Sequence, residues 1–93
     1  MNALEFRRQF GDNLRDLRRG AGLTQASLAQ KIGTVNVTIS MYERGKRLPG
    51  LEILSMLACA LGASFEDLVP IMDLPGDNLE FEGQTSIFDI EED

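Results

Sequence analysis

Residues 24–45 read TQASLAQKIGTVNVTISMYERG. Thr24 is a good helix N-cap, because its hydroxyl can accept a hydrogen bond from a backbone N–H of the first turn. Leu28, Ala29 and Ile32 then fall on one helical face, and Val35, Ile39 and Tyr42 fall on another. Gly33 separates the two patterns at a point where the chain needs a positive φ. Two short amphipathic helices joined by a glycine turn form a helix-turn-helix unit, here predicted over 24–31 and 35–43.

The flanking sequence supplies the rest of a small helical domain. A first helix is predicted over 3–19, with Leu4, Phe10, Leu14 and Leu17 near helical spacing. Gly11 interrupts this pattern and marks either close packing or a bend. After the second unit, Gly45 stops the chain and Lys46, Arg47 and Leu48 form a loop. A fourth helix is expected over 51–61, with Leu51, Leu54, Leu57, Ala58 and Leu61 facing inward, and Gly62 ends it. Ser64 caps a fifth over 65–70, with Asp67 three residues on in a capping-box position. Pro70 is tolerable only at a frayed end. The expectation is an all-α, compact five-helix domain over 1–72, followed by a short acidic C-terminal tail over 73–93.

Charge divides the chain at the same place. All nine Lys and Arg lie in residues 1–72 beside seven Asp and Glu, a net of +2, whereas residues 73–93 hold eight acids and no base. The overall −6 therefore describes neither part. With no His and one Cys, a protein-built zinc site is excluded, and Cys59 reads as a small core residue within an apolar helical run. No nucleophile motif, phosphate-cradling glycine loop or evident pair of catalytic acids is present, so an enzyme is not expected and no cofactor is implied. The start, MNALEFRRQF, lacks the apolar core of a signal peptide, and no stretch is long enough for a membrane span. A soluble, cytoplasmic protein without membrane contact is expected.

The order of residues resembles the lambda-repressor-like helix-turn-helix family, which comprises phage repressor and Cro proteins and XRE-type regulators. The resemblance covers residues 10–71. It rests on Gly11, Leu14, Leu17, Arg18, Leu23, Thr24, Gln25, Leu28, Ala29, Gly33, Thr38, Ile39, Tyr42, Glu43, Arg44, Gly45, Pro49, Leu54, Ala58, Ala60, Leu61 and Gly62. Each is weak alone, but the ordered set is specific.

The resemblance implies a DNA-binding site, with double-stranded DNA as partner. Gln25 matches a residue that contacts the DNA backbone and nearby bases, where its amide and the helix-terminal N–H groups suit a phosphate. Asn36 and Val37 match the start of the recognition helix. There Asn can pair with adenine and Val can pack on a thymine methyl, although Asn36 also reads as an N-cap. Thr38 and Met41 complete the implied base-contacting set. Thr34, Ser40, Arg44, Lys46 and Arg47 are the implied backbone contacts. Arg18 and Glu43 are implied to pair, locking the first helix to the end of the recognition helix. Val35 departs from the small polar cap common at its position, and the recognition face carries no Arg or Lys.

Such domains usually bind near-palindromic operators as two-fold dimers. Leu68, Val69, Ile71 and Met72 are the candidate dimer contacts, or else they complete the core. The leading expectation is a transcriptional repressor of bacterial or phage origin. The competing one is an interaction module, such as an antitoxin, whose acidic tail binds a partner protein. The tail itself has three readings: a solubilising end, a dimer arm or partner-docking segment, or a strip of acids folded back over the basic face. Its Leu79, Phe81, Ile87, Phe88 and Ile90 are many for pure solvation, and Leu79–Glu82 alternates as an edge strand would.

Overall fold

The computed structural model describes residues 1–71. The expectations for Met72, for the 73–93 tail and for its strand-like stretch lie outside the described residues. Within them the chain forms α1 (Ala3–Gly20), α2 (Gln25–Ile32), α3 (Asn36–Glu43), α4 (Leu51–Leu61) and α5 (Phe65–Leu68). The fold is all-α, as the periodicity predicts.

Local chemistry sets most of the boundaries. At α2, Thr24 accepts from the Ser27 N–H at 3.0 Å, and the Ser27 hydroxyl accepts from the Thr24 N–H at 2.8 Å, a reciprocal cap. Asn2 and Glu5 do the same at α1, and Ser64 and Asp67 at α5. Gly33 closes α2 at φ 78°. The predicted end of α5 at residue 70 is too late. The helix stops at Leu68 because Val69, which precedes Pro70, is extended at φ −99°, ψ 119°.

The core is aliphatic with two aromatics: Phe10 and Leu14 of α1, Leu28, Ala29 and Ile32 of α2, Ile39 and Tyr42 of α3, Leu54 and Leu57 of α4, and Leu68 of α5. The helix-turn-helix pair packs on itself, α1 crosses α3, and α4 covers α2. The short α5 bridges α1 and α4 and is tied to α1 by the Asn13 amide, which donates to the Leu68 carbonyl at 2.9 Å.

Four inward assignments are corrected. Leu51 is 78% exposed, because it starts α4 a full turn beyond the contact with the core. Cys59 is exposed, since it stands two residues, roughly 200° of helix, past Leu57. Leu4 is exposed, turned away from the Phe10–Leu14 stripe at the free end of α1. Val35 is 63% exposed, because as N-cap it is extended and stands outside the helical face it was grouped with. Leu61 is half-buried at the edge of the core.

Candidate nucleic-acid interface

Two ends of α3 have opposite characters. Its inner stripe, Ile39, Tyr42 and Glu43, is buried. Its N-terminal turn is not: Val37 is 63% exposed and Asn36 is exposed beside it. Val35 supplies no side-chain cap; the Thr38 N–H donates instead to the Val35 carbonyl at 3.0 Å, and the N–H groups of Asn36 and Val37 have no side-chain partner. Asn36 is the first helical residue and not the cap, which removes the N-cap alternative. Thr38, Ser40 and Met41 are half-buried along the flank. Thr34 lies half-buried in the turn, its N–H donating to the Ala29 carbonyl at 2.9 Å. Arg44, Lys46 and Arg47 are exposed where the chain leaves α3. Apart from Gln25 on α2, the implied base-contacting and backbone-contacting residues therefore lie in one continuous segment, with an exposed short amide and a valine leading and three cations trailing.

The C-terminal end of α3 is anchored from three directions. Arg18 donates from Nε to Glu43 Oε2 at 2.6 Å and from Nη2 to Oε1 at 3.1 Å, a two-pronged pair. Its third nitrogen, Nη1, donates to the Leu23 carbonyl at 2.8 Å. The hydrogen bond to Glu43 holds the Arg18 guanidinium pKa above its ordinary value, with burial opposing it. Removing either partner would strand the other charge in the interior. Beside this pair, a Cβ on Gly11 would lie 2.7 Å from the Tyr42 carbonyl oxygen and closer still to that of Glu43. Gly11 thus marks close packing and not a bend: α1 touches the backbone of α3 there. Finally, Arg7 Nε donates to the Gly45 carbonyl at 3.2 Å, holding the loop that carries Lys46 and Arg47.

Two features escaped sequence reading. One is the Arg7–Gly45 contact, which spans 38 positions and leaves no local signature. The other concerns Gln25, whose Nε2 donates to Glu43 Oε1 at 3.1 Å. A carboxylate only accepts, so this contact assigns the amide nitrogen to Glu43 and uses one of its two N–H groups. A phosphate oxygen needs a donor, which the backbone N–H groups at the start of α2 can supply.

The candidate dimer contacts separate. Leu68 is fully buried in the domain's own core and is removed from that set, because α5 uses it to close the gap between α1 and α4. Val69 packs against the same core and is half-buried, whereas Ile71 is exposed. Among the described residues no group of His, Cys, Asp and Glu could hold a metal ion, and no helix is long and apolar enough to cross a membrane.

The model of the helix-turn-helix family HTH_3 matches residues 14–68. The chain belongs to the lambda-repressor-like helix-turn-helix family of transcriptional regulators. It is 39% identical over 70 residues to an HTH-type transcriptional regulator of Sinorhizobium fredii, covering 75% of this chain and 91% of the relative. Its fold is similar to that of the restriction-modification controller protein C.AhdI from Aeromonas hydrophila, with a TM-score of 0.63 and 36% identity over 66% of this chain and 92% of that one. It is equally similar to the P22 c2 repressor in complex with a synthetic operator, with a TM-score of 0.63 and 34% identity over the same shares. The relatives it matches in sequence are transcriptional regulators.

Proposed function

We propose that this regulator is a sequence-specific repressor that binds a near-palindromic operator as a homodimer and blocks transcription by occupying it. The observation that carries the reading is the exposed N-terminal turn of α3, Asn36 and Val37, continued by the cations Arg44, Lys46 and Arg47. A helix presented this way fits the major groove. There the Asn36 amide would pair with an adenine edge and the Val37 methyls would meet a thymine methyl. Thr38 and Met41 would follow along the groove, and Gln25 Oε1 would accept from a base amino group. The three cations, with Thr34 and Ser40, would hold the phosphates and make affinity fall with salt. The likeness to a repressor solved with its operator supports the direction of regulation.

One domain spans half a site, so two copies are required for a symmetric operator. The exposed Ile71 and half-buried Val69, at the end of the domain, are the proposed contact. The protein would act in the cytoplasm, bound to the nucleoid.

Selection of duplex DNA from a random library with the full chain tests this reading. A two-fold symmetric enriched motif is the expected result, and a reporter placed downstream of that motif should be silenced. No enriched sequence would overturn DNA recognition, an asymmetric single half-site would overturn the dimer, and a stimulated reporter would overturn repression.

A further inference from the structure

An apolar groove of about 130 Å³ opens between the start of α1, the loop before α4, and α5. Phe10 and Leu54 form its floor, and Phe6, Leu48, Phe65 and Val69 its walls. Phe65 is 52% exposed and Leu48 42%, an unusual cost for two large apolar side chains on a domain this small. An engineered cavity of about 150 Å³ with a similar lining takes up a benzene ring, so this volume suits one aromatic side chain. Cations adjoin this lining along the chain: Arg7 and Arg8 follow Phe6 on α1, Lys46 and Arg47 precede Leu48, and the Arg7–Gly45 hydrogen bond holds the two segments together. Glu66 and Asp67 follow Phe65.

We propose that this groove is the seat of the chain's own segment Leu79–Glu82, with the ring of Phe81 in the groove and Glu80 and Glu82 near the cations that adjoin it. Four observations select this occupant. The chain passes Val69, a wall of the groove, and Ile71 immediately before the tail begins. Phe81 follows Val69 by 12 positions, a length that extended would reach roughly 40 Å, so it reaches back with slack. Pro75-Gly76 lies between them, a dipeptide suited to reversing the chain. Finally, Phe81 is flanked by an acid on each side, and the tail has no base, which complements the cations Arg7, Arg8, Lys46 and Arg47 beside the groove's lining residues. A tether this short supplies an effective concentration on the order of millimolar, enough to fill a seat too weak for a free peptide.

The consequence rests on the proposed function. Lys46 and Arg47 cannot serve tail carboxylates and DNA phosphates at once, and a filled groove covers Val69. The docked tail therefore competes with DNA binding and with pairing of two copies.

The test uses the full chain, isotopically labelled, with Phe81→Ser and Phe88→Ser compared by amide chemical shifts at low and high protein concentration. Equal melting temperatures of the two variants separate docking from a loss of folding. The expected result is a shift of the Leu48, Phe65 and Val69 resonances in Phe81→Ser, equal at both concentrations, and none of these shifts in Phe88→Ser. Unmoved resonances in Phe81→Ser would overturn the proposal. Shifts that appear only at high concentration would also overturn it, by assigning the groove to a second copy, and Phe88→Ser acting in place of Phe81→Ser would overturn the choice of segment. These shifts are read without DNA, so they stand apart from the operator selection. If both readings hold, Phe81→Ser also binds duplex DNA several-fold more tightly.

Discussion

The two ends of α3 lie within eight residues of each other yet obey opposite rules. At the C-terminal end, Glu43 is buried and holds Arg18 and Gln25, Gly11 lets α1 touch the backbone, and Arg7 holds the loop carbonyl. At the N-terminal end, Val35, Asn36 and Val37 face outward, and no side chain caps the helix. The difference teaches how a small domain aims a surface. Burial and directional hydrogen bonds fix the orientation at one end, so that the other can remain unpartnered and open to a ligand.

The largest expected effects come from loosening the anchored end. Glu43→Ala would leave Arg18 buried without its partner and should cost about 3–5 kcal/mol of stability, measured by chemical denaturation. A loss under about 1 kcal/mol would mean that Arg18 swings out to water and that the anchor lies elsewhere. Gly11→Ala should cost about 3 kcal/mol, since its methyl meets backbone oxygens that cannot step aside. In a domain of this size that lowers the melting temperature by roughly 12–24 °C. An unchanged melting temperature would show that α1 and α3 can slide apart freely.

The open end should respond in binding and not in folding. Asn36→Ala should leave the melting temperature alone, weaken the best DNA site by about 1–3 kcal/mol and relax preference at one base position. An unaltered base preference would remove Asn36 from the reading surface. Arg47→Ala should weaken all sequences alike and reduce the slope of log affinity against log salt by about 0.9, one phosphate's worth. An unchanged slope would strike Arg47 from the phosphate contacts. The smallest effect carries the opposite sign. Val35→Ser would give α3 the cap it lacks and should stabilise the domain by about 1 kcal/mol. If it does not, the first N–H groups are already satisfied by water at no loss.

The helices were largely legible from local pattern because their determinants are local. Thr24, Ser64 and Gly33 act on neighbours three or four residues away, and the stripe Leu28, Ala29, Ile32 repeats within one turn. The misreadings came where position in the fold outweighs pattern. Leu51 and Cys59 belong to an apolar run, yet α4 presents only one side to the core, and the run itself does not say which. Val35 matched the spacing of Ile39 and Tyr42 but stands one residue outside the helix that would have turned it inward. Leu68 looked available for a partner because its burial depends on α1 and α4, which are distant in sequence.

The class of the protein is written in signals local to the chain. Helical period, caps, the glycine turn and the order of signature residues specify five short helices and a family, because each signal acts within a few residues or stands in a fixed order along the chain. Only the tertiary structure decided which surfaces remain. That Gln25 turns its donor inward to Glu43, that Arg7 reaches Gly45, and that Phe65 and Leu48 line an open groove all follow from residues far apart in the chain meeting in space. Such meetings are set by the packing of whole helices, which no local period encodes.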